Sequence, residues 1–142
     1  MKILLLAILF CTTIHAQNLS INQIIELNDM DVTNSENYLS KLGWKFVDTY
    51  DNGSGHTYIS FEYFEQAILS KTYGKFSFIG LSFFSKVKKN SYLLELKNKG
   101  FIKKESYMEK GAIVEEFING KITISIKTHP NDHYYLNCKR SN

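Results

Sequence analysis

The sequence predicts an α+β protein built from two tandem αββββ repeats, with antiparallel sheets and helices packed on one face. Many segments rich in aromatic and β-branched residues are separated by turn signals such as Asn-Gly, which is typical of antiparallel hairpins. Three other segments carry apolar residues at helical spacing. In addition, "KLGWKFVDTY" at 41–50 is echoed by "NKGFIKKESY" at 98–107, with an aromatic residue after a glycine in both.

The N-terminal segment "MKILLLAILFCTTIHA" predicts a signal peptide at residues 1–16. Lys2 precedes an apolar run at 3–11, and Ala16 supplies the small residue that a signal peptidase requires. The run is shorter than the roughly 20 residues that span a bilayer. We therefore expect an exported protein, periplasmic or secreted, with residues 17–142 as a single compact domain and no transmembrane segment after cleavage.

Three helices are predicted from apolar spacing and from their end signals. The first covers residues 19–27 with Ser20 as its N-cap, and the second is capped by Asn34 or Ser35 and stopped by Gly43. The third begins after Ser85 and runs to Gly100.

Eight strands are predicted around these helices. The first-half strands are "WKFVDTY", "HTYISFEYF", the poorly alternating "FEQAILSKT" and "KFSFIGLSFF". The second-half strands are "FIKKESYM", "AIVEEFI", "KITISIKT" and "HYYLNCKR", separated by Lys-Gly, Asn-Gly and Pro-Asn-Asp turns.

The echo between the two halves extends beyond the opening phrase. At an offset of 57 and without gaps, the two halves align so that Leu39 pairs with Leu96, Gly43 with Gly100, and Trp44 with Phe101. The predicted repeats cover about 19–84 and 85–142. A glycine just past a helix adopts the left-handed conformation, and the following residue packs back on the helix. We interpret the phrase as a structural helix stop; the alternative is chance similarity of two helix–strand junctions.

Candidate catalytic and metal-binding residues are few. Ser54 lies beside His56, but within a turn rather than the G-x-S-x-G elbow of a hydrolase. His129, His133 and Cys138 are suitable metal ligands, although an unbroken strand sends His133 and Cys138 to opposite faces. No phosphate-binding glycine loop is present. The sequence therefore predicts a non-enzyme without cofactor or metal, in which Cys138 is a buried apolar residue.

Charge is distributed unevenly between the halves. Residues 17–80 carry four lysines against eight acids, whereas residues 81–142 carry eleven lysines and Arg140 against six acids. A basic run is compatible with nucleic-acid binding. Lysine is almost the sole cation, however, and no aromatic residues alternate with it as a base-stacking surface needs. We expect a solvated helix face and no nucleic-acid partner.

The aromatic residues suggest a binding surface on the sheet. If Ile79 and Leu81 face the helices, strand alternation turns other rings away from them. We expect solvent exposure and contact with a protein partner for Tyr58, Phe76, Phe78, Phe117 and Tyr135. The alternative is that the assumed parity is wrong and these rings are core.

The predicted function is an exported, non-catalytic protein-binding module that recognises its partner through this aromatic face. A small apolar-ligand carrier and a structural envelope component are the alternatives. The tandem layout resembles that of the β-lactamase-inhibitor proteins, whose sheets form a concave protein-binding saddle. Repeats of that family carry disulfides, which this chain cannot form because cleavage leaves Cys138 as its single cysteine. The composition and the "HAQ" cleavage style resemble those of small exported Bacteroidetes proteins.

Overall fold

A computed structural model describes residues 19–141 except 64–66 and 75–76, with no side-chain description at 67, 68 and 74. The predicted signal peptide lies outside these residues. The described part contains three helices: α1 (Ile21–Asp29), α2 (Val32–Lys41) and α3 (Lys86–Asn98). Its strands are β1 (Lys45–Asp51), β2 (His56–Tyr63), β3 (Ala67–Gly74), β4 (Phe78–Phe83), β5 (Ile102–Glu109), β6 (Ala112–Asn119), β7 (Ile122–Thr128) and β8 (Tyr134–Arg140).

The eight strands form a single antiparallel sheet in the order β1-β2-β3-β4-β8-β7-β6-β5. Two meanders of four strands meet where β4 pairs with β8, and β1 and β5 are the edges of the sheet. The predicted α+β class with antiparallel pairing is confirmed.

Side-chain caps fix the beginning of each helix. Ser20 and Gln23 form a reciprocal capping box at α1, and the Ser85 hydroxyl accepts a hydrogen bond from the backbone N–H of Lys88 at the start of α3. The cap of α2 is Asp31, whose carboxylate accepts from the Asn34 N–H at 2.8 Å. The expectation that Asn34 or Ser35 caps α2 is therefore wrong, because Asp31 provides a better acceptor one turn earlier.

The two echoed phrases form the same helix-ending motif. The Trp44 N–H donates to the Leu39 carbonyl, and the Phe101 N–H donates to the Leu96 carbonyl, each at 3.0 Å. A second bond runs from Gly43 to Ser40, and its counterpart runs from Gly100 to Lys97. Both glycines have positive φ, +85° and +76° respectively. These pairs of bonds define a Schellman motif at the end of α2 and of α3.

The core lies between the helices and one face of the sheet, here called the core face. All three helices contribute buried residues, and Trp44 and Phe101 join the same cluster. Alternate strand residues complete it: Ile59, Phe61, Leu69, Ile79, Leu81, Phe83, Phe117, Ile124, Ile126, Tyr134, Leu136 and Cys138. The opposite side chains of the same strands form what we call the open face.

Phe117 corrects one expectation about the aromatic surface. Its side chain is 8% exposed and lies in the core cluster, because it pairs across the sheet with Ile124 of the core face. The segment "AIVEEFI" has apolar residues on both parities, so alternation alone does not assign its faces.

A buried lysine attaches α1 to the sheet. Lys71 of β3 is fully buried, and its ammonium donates to the carbonyls of Leu27 and Met30 at the end of α1. The same ammonium lies 4.6 Å from the centre of the Tyr73 ring. A cation at a helix C-terminus is favourable because the last carbonyls have no intrahelical donors. Burial nevertheless lowers the pKa of Lys71 to about 8.

Candidate interface on the open face of the sheet

A row of small and polar residues crosses the centre of the open face. Strand register places in this row Asp48, Ser60, Ser70, Gly80, Asn137, Ser125, Glu116 and Glu105, one from each strand. At its middle, a β-carbon added to Gly80 would lie only 3.2 Å from the Asn137 side-chain oxygen. Because the side chains at Ser60, Ser70, Gly80 and Ser125 are short, the centre of the open face projects little above the sheet and is rich in hydrogen-bonding groups.

An aromatic group, here called the tyrosine cluster, borders the row on the first meander. It consists of Tyr50, Tyr58 and Phe78, which lie on the next line of register, with Thr72 of β3 between Tyr58 and Phe78. The ring centres of Tyr50 and Tyr58 are 6.4 Å apart, and those of Tyr58 and Phe78 are 6.5 Å apart. Tyr50 is 63% exposed, whereas Tyr58 and Phe78 are half-buried. These separations are typical of interacting aromatic pairs.

A second group, here called the histidine cluster, borders the row on its other side. It consists of Phe84, His129, His133 and Tyr135. The His133 ring stacks on Phe84 at 4.3 Å with an 8° angle between the planes, and it lies 4.3 Å from the Tyr135 ring. His129 is 5.8 Å from His133 and 5.7 Å from Tyr135. The four rings form a continuous, partly exposed aromatic surface.

Ser82 fixes the orientation of His133. Its hydroxyl lies 2.7 Å from Nε2 of the His133 ring. Desolvation, and to a smaller extent the charge of His129, lowers the pKa of His133. A lowered pKa favours the neutral imidazole, and a neutral ring shares one hydrogen bond with the Ser82 hydroxyl through Nε2. This pairing positions the ring at the border of the open face.

Ion pairs cover the second meander on this face. The Lys104 ammonium lies 2.9 Å from the Glu105 carboxylate and 3.6 Å from that of Glu116, and Lys127 binds Glu109. The hydrogen bond from Lys104 lowers the pKa of Glu105, and that from Lys127 lowers the pKa of Glu109. Because these charges neutralise one another locally, the open face has no strong charge of one sign in this region.

Three of the five predicted contact residues lie together on this face. Tyr58 and Phe78 belong to the tyrosine cluster, and Tyr135 belongs to the histidine cluster. Phe76 lies outside the described residues, and Phe117 faces the core. Sequence reasoning missed His133 and Phe84. His133 is two residues before Tyr135, and Phe84 is two residues after Ser82. Residues two apart in an extended segment lie on the same side, so this spacing would have placed both rings on the open face.

Catalytic geometry is weak at the candidate positions. The Ser54 hydroxyl lies 3.3 Å from Nδ1 of His56, but it also donates to the Asn52 side chain at 2.6 Å, in an exposed turn. His133 faces the open side, whereas Cys138 is 1% exposed in the core, where burial raises its thiol pKa to about 12. Within the described ranges, no three His, Cys, Asp or Glu residues are grouped so as to hold a metal ion.

A shallow groove of about 640 Å³ lies on the helix side of the molecule, between α2 and the start of β1. Its walls are Glu36, Asn37, Ser40, Trp44, Lys45, Phe46 and Phe61. Carriage of a small apolar ligand needs a cavity that encloses most of the ligand surface. Because this groove is shallow, it would leave much of a bound ligand exposed. It therefore supports the carrier alternative less well than the open face supports a protein interface.

The fold and this site define an α+β protein with one antiparallel sheet, covered by helices on its core face and lined by aromatic rings and polar groups on its open face. Comparisons of the chain with protein-family models, with curated proteins and with solved structures find no match. Among the helices that the structure describes between residues 19 and 141, none is long and apolar enough to cross a membrane.

Proposed function

We propose that this protein is an exported, non-catalytic module that binds a protein partner through its open face. The observation that carries the proposal is the pair of aromatic clusters, which flank a low polar row instead of being covered by the helices. All three helices contribute instead to the core cluster on the opposite face. Large amphipathic rings around hydrogen-bonding groups are typical of the energetic centre of a protein interface.

The aromatic side chains and the polar row have different roles in recognition. Rings of the tyrosine cluster contact apolar side chains of the partner and exclude water from the row between the clusters. In the row, Ser60, Ser70 and Asn137 supply donors and acceptors that select polar groups of the partner. At the β5–β6 end of the row, Glu105 and Glu116 are already paired with Lys104 and form a polar rim. Charge pairs at the rim of an interface contribute specificity more than affinity.

The proposed αββββ duplication explains why the clusters lie on opposite sides of the row. Under this proposal Asp48 corresponds to Glu105, Gly80 to Asn137, and Phe78 to Tyr135. Three observations support it: the mirrored strand order, the shared Schellman motifs, and β-bulges at matching points of the two edge strands. A repeat related by a local twofold axis presents two similar contact regions to one partner.

Site-specific photocrosslinking in cells of the parent organism tests the proposal. A benzophenone side chain is placed at Tyr58, at Tyr135 and, as a control, at the exposed Thr33 of α2 on the helix side of the molecule. We expect one discrete protein adduct that is shared by positions 58 and 135 and is absent at 33. Lack of an adduct at both open-face positions, or the same adduct at all three positions, would contradict the proposed interface.

A further inference from the structure

The outer surface of α3 combines exposed apolar and cationic side chains. Val87 is 81% exposed and Leu94 is 59% exposed, two helical turns apart on one stripe. Lys86 and Lys97 lie along one border of this stripe, and the exposed residues between Val87 and Leu94 are the neutral Asn90 and Ser91. We call this stripe the outer face of α3.

The acidic residue of α3 is turned away from this stripe. Glu95 accepts a hydrogen bond from the Ile21 N–H at 2.9 Å and lies 3.9 Å from the Lys99 ammonium. It therefore binds the start of α1, and among the described residues of α3, 86–98, no other carboxylate is present to lie on the outer face.

Most other lysines of this helix and of the following strand are held by partners. Lys89 lies 3.4 Å from Glu115, and Lys103 lies 2.7 Å from the same carboxylate. The Lys88 ammonium is placed over the rings of Phe83 and Tyr92. Within the described residues Lys86 and Lys97 make no ion pair, so their charges remain available to an external anion.

We propose that the outer face of α3 rests on an anionic lipid bilayer, with Val87 and Leu94 inserted at the headgroup boundary and Lys86 and Lys97 beside the phosphates. Apolar side chains that insert at the headgroup boundary, and lysines that reach the phosphates, are the contacts by which a protein surface binds an anionic bilayer. The eleven lysines and Arg140 of residues 81–142, against six acids, add a longer-range attraction to the same surface.

A bilayer fits this surface better than an acidic protein does. Val87 and Leu94 stand as two separate projections, with neutral polar residues between them. A protein partner would need a matching pocket for each projection, whereas a fluid headgroup layer closes around any shape. The apolar contacts therefore favour lipid over protein, and the lysines at the border favour anionic lipids over neutral ones.

The orientation that follows is independent of the proposed open-face function. Tyr92 and Leu96 of α3 lie in the core cluster, so the outer face of α3 and the open face are on opposite sides of the sheet. A protein bound to lipid through α3 directs the open face away from the bilayer.

Co-sedimentation with vesicles tests the proposal. The probes are vesicles of phosphatidylcholine alone and of phosphatidylcholine mixed with phosphatidylglycerol, each at low and at high salt. We expect binding to the anionic vesicles only and weakening by salt, because screening shortens the reach of surface charges. A Lys86→Glu/Lys97→Glu variant should bind about 25-fold more weakly or worse, since each lysine contributes about fivefold.

Two further variants separate lipid insertion from charge attraction alone. Val87→Ser/Leu94→Ser should also weaken vesicle binding severalfold, whereas Lys41→Glu/Lys45→Glu, a matched charge change in the other half, should not. Unchanged melting temperatures show that the surface variants are folded. The proposal is overturned by absence of binding to anionic vesicles, or by retained binding in the α3 variants. Equal binding to soluble polyglutamate, with no effect of the apolar variant, assigns the surface to an acidic macromolecule instead.

Discussion

At the scale of single residues, the glycines after α2 and α3 show how one position determines a junction. Gly43 and Gly100 both adopt positive φ, which lets the next amide bond back to the helix and directs Trp44 and Phe101 into the core. Their surroundings differ. A β-carbon at Gly43 would lie 3.2 Å from the Tyr63 ring, whereas at Gly100 the nearest atom would be the Asn119 side-chain nitrogen at 4.0 Å.

Alanine at these glycines is expected to reveal that difference. The left-handed conformation costs an alanine about 1 kcal/mol at either site. Gly43→Ala should destabilise further, because Tyr63 packs against Trp44 and must yield to the new methyl group. Urea titration of both variants measures the two free energies of unfolding.

Asparagine provides the control, since it tolerates positive φ better than alanine. Gly100→Asn should therefore be more stable than Gly100→Ala. Variants of both glycines that unfold at the same urea concentration as the parent would refute the helix-stop interpretation.

Local signals explain which residues the sequence predicts well. Ser20, Gly43, Ser85 and Gly100 act on neighbours within one helical turn, so their roles can be inferred from short stretches. The side assignment of Phe117 depends instead on its cross-strand partner, a long-range fact that a two-sided apolar segment does not encode locally. Lys71 was not predicted to be buried for the same reason: its acceptors lie on a helix more than forty residues away.

At the scale of elements, α1 is joined to the sheet by polar contacts at its C-terminal end. The Lys71 ammonium caps the carbonyls of Leu27 and Met30, and the Arg140 guanidinium binds Asp29 through two nitrogens, Nε at 2.9 Å. The apolar side of α1 meanwhile packs Ile21, Ile24 and Leu27 into the core. The attachment of α1 to the sheet thus depends on the buried ammonium of Lys71 as well as on the surface ion pair between Arg140 and Asp29.

Burial of this charge predicts a rise in stability with pH. The pKa of Lys71 is lowered from 10.5 to about 8 in the folded protein. Below pH 8 both states are protonated and the burial penalty is fully present. Between about pH 8 and 10 the unfolded chain holds more protons, so the free energy of unfolding increases with pH, by at most about 1.4 kcal/mol per pH unit.

Comparison with Lys71→Met isolates this contribution. Lys88 also makes the free energy of unfolding rise with pH, because burial lowers its pKa to about 8 as well. Since Lys88 is present in both proteins, its contribution cancels in the difference between parent and variant. Unfolding curves at pH 7.5 and 9.5 should therefore show the stability difference between parent and variant shifting in favour of the parent. A difference that is constant with pH, while exposed Lys45→Met follows the parent, would mean that Lys71 is not the titrating group.

At the scale of the whole molecule, one sheet separates two surfaces with different properties. The core face carries the helices and, beyond them, the cationic and apolar outer face of α3. The open face carries two aromatic clusters and a polar row. The sequence predicts all eight strands and their antiparallel hairpins, because turn signals and alternation are local. The β4–β8 pairing that unites the meanders is long-range, and so is the resulting alignment of the central row.

The most direct test of the central claim measures binding and stability of a Phe78→Ala/Tyr135→Ala variant together. The variant removes one ring from each cluster. The partner identified by photocrosslinking is titrated into it by calorimetry, and a Phe46→Ala variant on the core side serves as the control. The account predicts that the double variant loses about 2 kcal/mol or more of binding free energy and melts close to the parent, while Phe46→Ala binds normally. Full affinity in the double variant, or a collapse of its melting temperature, would contradict the claim that these rings form an exposed contact surface.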